Sequence, residues 1–178
     1  MEQIIFAGGI HGVGKSTLCR TIAEHLSLVH LSASELLKWK DLNVNDEKNK
    51  KVRDIPDTQD RLLKGLATAV EPAGKYILDG HYCLFNKDGA VTPVPLDTFA
   101  GINPVALLLV AGDPFEIAFS LQQRDGRAYD ANLLAEMQEQ ELIQGRLIAE
   151  HLSVPLAVFD KKLTDVEQLI RELHESLT

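Results

Sequence analysis

Residues 2–8 are apolar without a break through Ile4, Ile5, Phe6 and Ala7, and the run stops at Gly8 and Gly9. Such a run predicts a parallel strand covered on both faces. The period then lengthens: Leu18, Cys19, Ile22, Ala23 and Leu26 predict a helix over about 15–27. Residues 29–31 are a short second strand, after which Ser32 or Ser34 can cap a helix through Leu36, Leu37 and Trp39, with Glu35 in its first turn. Residues 38–53 mix Lys38, Lys40, Lys48, Lys50, Lys51 and Arg53 with acids and Asn and have almost no apolar period. They read as a surface segment, either a solvated loop or part of a flap over a bound acceptor.

Pro56 and Asp57 open a helix over about 58–70, striped by Leu62, Leu63, Leu66 and Val70 and ended by Pro72 and Gly74. Tyr76, Ile77 and Leu78 form a third strand that finishes in Asp79, and residues 80–95 read as loop. The fourth strand, 105–110, is the most apolar run of the chain. Asp113 and Pro114 then start a helix carrying Phe115, Ile117, Ala118, Phe119 and Leu121. Arg124-Asp125-Gly126-Arg127 reads as a polar break before a long helix over about 131–152. A fifth strand, 155–159, and a helix through Val166, Leu169, Ile170, Leu173 and Leu177 complete the pattern. Strands alternating with helices predict a three-layer α/β fold (αβα) with a five-stranded parallel sheet. Ligands of such sheets lie beyond the carboxyl ends of the strands, which places residues 9–16, Asp79, His81 and the residues after Phe159 along one edge.

The 178 residues, 45% hydrophobic, are enough for one domain with a substantial core. A net charge of −8 argues against a nucleic-acid surface, so attraction for anionic small molecules has to come from a few focused cations. Cys19 and Cys83 have no metal-ligand spacing and read as small buried hydrophobes of a reducing compartment. There is no basic leader and no apolar run of membrane-spanning length, so a soluble cytoplasmic protein without a membrane partner, monomer or dimer, is expected.

The chemistry begins at Gly9-Ile10-His11-Gly12-Val13-Gly14-Lys15-Ser16-Thr17, which fits G-x-x-x-x-G-K-[ST] between a strand and a helix. Glycines let the backbone approach a ligand, successive N–H groups cradle phosphate, and the helix N-terminus adds partial positive charge. Lys15 is expected at the β and γ phosphates of ATP, and the Ser16 hydroxyl, ahead of Thr17, on Mg²⁺. As a surface lysine, Lys15 is expected to matter little to the fold. Asp79, at a strand end, is a second candidate Mg²⁺ ligand, and His81 a candidate for orienting acceptor or water. Arg124 and Arg127 are candidate lid arginines for the charge that develops on a transferring phosphoryl group. Arg146, after Gly145, either points back to the same phosphates or pairs with Glu141 or Glu150.

These residues resemble the P-loop nucleoside monophosphate kinase superfamily, most closely its archaeal-type and nuclear-type adenylate kinase-like branch. Nearly the whole chain is covered: residues 9–17 resemble its phosphate loop, Asp79-Gly80-His81 its Asp-x-His strand end, and Asn103-Pro104 with Gly112-Asp113-Pro114 its run before the lid helix. Arg124, Asp125 and Arg127 are similar to a shortened lid, about 122–131, and Gly145-Arg146 to the arginine after it. Residues 31–38, with Ser32, Glu35 and Lys38, are similar to its acceptor segment, part of an insert over about 32–65. There Ala33, Ser34 and Lys38 replace the usual Thr, Gly and Arg, and lysine supplies charge without the bidentate fork that grips an acceptor phosphate. The resemblance implies a P-loop NTPase fold forming a single kinase domain over 1–178, with ATP and Mg²⁺ as cofactors. It also implies adenine packing near residues 160–163 and on Arg124. The implied activity is transfer of the ATP γ-phosphate to a small-molecule acceptor, with a nucleoside monophosphate favoured. A hydroxyl acceptor would need a base, Asp79 or His81. An ATPase coupled to a macromolecular partner, or a nucleotide-binding module without turnover, are the other classes.

Overall fold

Ile5 and Ala7 of the first strand face one layer and Ile4 and Phe6 the other, so both faces of strand β1 (Gln3–Gly8) need a cover. One cover is α1 (Lys15–Leu26), whose Leu18, Cys19, Ile22 and Ala23 pack on that first face together with Leu169 and Leu173 of α7 (Val166–Glu175). The opposite cover comes from Leu66 of α3 (Ile55–Ala69), Phe99 and Ile102 of α4 (Leu96–Ile102), and Ile148 of α6 (Ala131–Leu152). The computed structural model describes residues 1–41, 55–86 and 88–178. The expected surface segment therefore lies largely outside the described residues.

The sheet is five-stranded and parallel, in the order β2-β3-β1-β6-β7, with β2 (Val29–Ser32), β3 (Lys75–Asp79), β6 (Ala106–Ala111) and β7 (Leu156–Asp160). It is the α/β fold expected from the alternating pattern. Helix α2 (Ala33–Asp41) follows β2 directly, and α5 (Pro114–Asp125) follows β6. The Asp113 carboxylate caps α5 by accepting from the Phe115 amide at 2.9 Å, as the Asp-Pro pair predicts.

Two parts of the chain depart from the expected pattern. Residues 80–95, expected as loop, contain an antiparallel hairpin of β4 (Cys83–Phe85) and β5 (Val91–Pro93). Three-residue strands are too short to show a period, and these two pair only with each other. Helix α4 was also unexpected; its seven residues bury Thr98, Phe99 and Ile102 against the sheet. Arg124 and Asp125, expected in a polar break, belong to the last turn of α5, which Gly126 ends at φ 70°.

Candidate active site

Between β1 and α1 the chain forms a loop that only glycine permits at two points. A Cβ at Gly9 would lie 2.6 Å from the Val110 carbonyl oxygen of β6. At Gly12 the backbone has φ 80°, and a Cβ would lie 2.6 Å from the Leu121 side chain of α5. The first N–H groups of α1 have no partner within the helix, so the loop and helix end offer donors to an anion. His11, Gly12, Gly14, Ser16, Thr17 and Arg124 line a pocket of about 330 Å³ beside this loop. Val13 instead turns inward and packs with the core clusters on both sides of the loop.

Strand register brings the second half of the site alongside. Asp79 of β3 pairs with Ala7 of β1 and Ser32 of β2, which sets its carboxylate beneath the loop. Lys15 Nζ donates to Asp79 Oδ1 at 2.6 Å, and Ser16 Oγ donates to Oδ2 at 2.5 Å. Lys15 is only 8% exposed, which corrects the expectation of a surface lysine: its chain runs inward because a buried carboxylate waits there. Burial pushes the Asp79 carboxyl up, but the Lys15 charge and hydrogen bond, with the Ser16 hydroxyl, outweigh it and hold the group below its ordinary value. His30 Nε2 points at Asp79 Oδ2 from 3.6 Å, beyond hydrogen-bond distance. Ser16 and Asp79 together present hard oxygen donors, the set that suits Mg²⁺.

A larger cavity of about 890 Å³ opens on the other side of His11 and Arg124, which line both spaces. Its walls are the β4–β5 hairpin, the inward face of α6, and the connection carrying Arg127 and Tyr129. The Arg124 guanidinium makes two bonds to Asp125, at 2.7 and 2.9 Å. The Tyr129 hydroxyl donates to the same carboxylate, and Arg127 donates to that hydroxyl at 3.0 Å while lying over the Tyr129 ring. Arg124 thus reaches the phosphate pocket and Arg127 only the larger cavity. His81 sits between that cavity and a smaller pocket lined by Ala33, Ser34 and Leu37 of α2. Burial above all, then the Lys15 and His11 charges, push its imidazole down to about 3.

The remaining candidates fall at different distances from this junction. Ser32 ends β2 with its hydroxyl 2.9 Å from that of Ser34, and Glu35 is exposed in the first turn of α2. Lys38 belongs to α2, but its side chain is outside the described residues. Arg146 is exposed on α6 and lines neither cavity. It lies five positions after Glu141, about 140° around the helix, so the two cannot pair. Past β7, Lys162 pairs with Glu116 at 2.7 Å and Leu163 stands exposed beside it. Cys19 and Cys83 are buried, and burial pushes both thiols up to about 12, consistent with small apolar fillers.

A family profile described as an AAA domain matches residues 8–138, well over half of the chain and the whole of the phosphate loop. The chain belongs to this AAA domain family. Among solved structures it resembles a gluconokinase from Sinorhizobium meliloti, at 14% identity over 98% of this chain and 91% of that one, with a TM-score of 0.54. It is also similar to the YorR protein of Bacillus subtilis in complex with phosphorylated GDP, at 14% identity over 96% and 93%, with a TM-score of 0.57. At these identities the likeness is one of fold. No curated protein matches it in sequence.

In this AAA domain the residue that reading the sequence for chemistry missed is Glu141, just past the matched segment. It is 2% exposed, lines the larger cavity, and accepts from the Tyr82 and Cys83 amides at 3.1 and 2.9 Å. Nothing in a helix repeat distinguishes an inward glutamate from an outward one until its partners, here two amides of a loop, are placed. Among the described residues no helix is long and apolar enough to cross a membrane.

Proposed function

We propose that the protein is an ATP-dependent small-molecule kinase that moves the γ-phosphate of Mg-ATP to a nucleoside monophosphate, as its adenylate kinase-like motifs imply. The supporting observation is the meeting of two spaces: a phosphate cradle and a separate, larger cavity share His11 and Arg124 as their common wall. A donor held in the first presents its terminal phosphate to an acceptor held in the second. Ser16 and Asp79 would hold Mg²⁺, which supplies charge neutralisation of the phosphates. Lys15 leaves Asp79 for phosphate oxygen, and Arg124 exchanges its exposed pair with Asp125 for the same charge.

The two candidate bases favour a phosphate acceptor over a hydroxyl. Asp79 would be committed to Mg²⁺ once Lys15 has moved to the phosphates and so is not free to take a proton, and burial above all pushes His81 down to about 3. A phosphate oxygen is already a nucleophile and needs no base: it bonds to the γ phosphorus as the bridging oxygen leaves with ADP.

Acceptor-dependent ADP release across a panel of nucleoside monophosphates and hydroxyl compounds tests this reading. Turnover with a monophosphate is the expected result, and turnover with hydroxyl compounds alone overturns the acceptor class. ATP hydrolysis indifferent to every small acceptor and stimulated by protein or RNA would make the protein a partner-coupled ATPase. Arg124→Ala is expected to lower kcat about a hundredfold or more with the fold intact, because its hydrogen bonds to Asp125 are exposed. An unchanged rate, with circular dichroism matching wild type, would remove Arg124 from the reaction.

A further inference from the structure

Three polar side chains spaced three apart on α6 hold two pieces of backbone: the turn after β6, and the two ends of the β4–β5 hairpin, where the Val94 amide donates to the Tyr82 carbonyl at 2.9 Å. Gln138 donates to the Gly112 carbonyl at 2.9 Å and accepts from the Gly112 amide at 3.0 Å, after β6. Gln144 donates to the Val94 carbonyl at 2.8 Å, after β5. Between them Glu141 accepts from the Tyr82 and Cys83 amides, after β3, and the Tyr82 ring it holds packs so closely on Gly8, directly before the phosphate loop, that a Cβ there would lie 2.2 Å from it.

The residue types match what each position faces. Gln138 meets one carbonyl and one amide of the same residue, so an amide side chain satisfies both, and Gln144 meets a carbonyl. Glu141 meets only N–H donors, and only a carboxylate offers acceptors on both oxygens. A carboxylate this far from water is expensive, and a structural tie alone would be made more cheaply by packing. Its partners are specific: the two residues directly after His81, the first of which lays its ring against Gly8 at the foot of the cradle.

We propose that Glu141 is a positioning residue that couples the phosphate cradle to the acceptor wall, so that nucleotide bound at Gly9–Ser16 fixes His81 and the β4–β5 hairpin against α6. This rests on the kinase reading for its role in turnover, but the coupling itself is measurable without any acceptor.

The test compares the 178-residue chain with Glu141→Gln and Gln138→Ala, using a nonhydrolysable ATP analogue with Mg²⁺. In wild type the analogue is expected to slow hydrogen exchange at residues 81–85 about tenfold. In Glu141→Gln that slowing is expected to fall below about twofold, while the dissociation constant for the analogue stays within about threefold. Gln138→Ala, which loosens the Gly112 turn after β6, should keep the slowing at 81–85. With a turned-over acceptor, Glu141→Gln should lower kcat about tenfold or more and raise the acceptor KM, leaving the KM for ATP nearly unchanged. Equal slowing in wild type and Glu141→Gln, or loss of analogue binding in that variant, would overturn the proposal. Nucleotide-dependent slowing in a wild type that phosphorylates nothing would support the coupling and remove the kinase reading.

Discussion

Lys15→Ala is expected to remove nearly all phosphoryl transfer and also to destabilise the protein, two effects that arise from different partners of one ammonium group. Loss of its charge from the phosphates should reduce kcat/KM by about 10²–10³-fold. Loss of its bond to Asp79 leaves a buried carboxylate with only the Ser16 hydroxyl as a close donor. Breaking a buried pair costs about 3–5 kcal/mol, and the remaining hydroxyl puts this case near the lower end. In a chain of this length that corresponds to a melting temperature lower by about 6–12 °C. The pH dependence identifies the cause. Because Asp79 is held below its ordinary value, it contributes stability above the unfolded carboxylate range, and that contribution is lost as pH falls through the folded value. The gap between wild type and Lys15→Ala should therefore be widest at neutral pH and narrow in acid. Melting curves from pH 7 to pH 3 measure it. An unchanged melting temperature at pH 7 would mean that the pair contributes nothing to the fold, and full activity would mean that the loop does not bind phosphate.

Glycine spacing and strand periodicity reveal the cradle and the parallel sheet because both are local properties. Gly9, Gly12 and Lys15 fall within seven residues, and the order of apolar runs already implies which strand ends lie together. The partner of Lys15 is not legible in the same way: Asp79 and Lys15 are each recognisable as site residues, but their pairing depends on β3 lying beside β1 in register. The same holds for Glu141. Its sequence neighbours are ordinary helix residues, and its role exists only because α6 returns across the loop that follows β3. The β4–β5 hairpin, three residues a side, carries no period and owes its shape to that helix and to Tyr82, which is wholly buried beside Phe6 and Phe99. What sequence shows poorly is thus the acceptor wall, the part built from long-range contacts.

Glu141→Gln is expected to make the protein more stable at alkaline pH even as it weakens turnover. Burial, only partly offset by the Cys83 and Tyr82 amides and by Lys15, raises the Glu141 carboxyl from 4.5 to about 7. A group with a raised folded pKa keeps its full contribution below the unfolded value and loses it as pH climbs through the folded one. Wild type should therefore lose about 3 kcal/mol from this residue between pH 4.5 and pH 8. Below pH 4.5 the protonated carboxyl and the glutamine amide each carry a donor and an acceptor, so the two proteins should have similar stability. Above pH 7 the glutamine has no charge to hold in the interior, and the variant should become the more stable of the two. Urea titrations of both proteins at pH 5, 6, 7 and 8 give the difference directly, with every other titrating group cancelling between them. A difference that stayed flat across that range would show that the Glu141 carboxyl ionises as freely inside the fold as in water. A rising difference would show a charge retained against stability, as expected where a loop must follow what its neighbour binds.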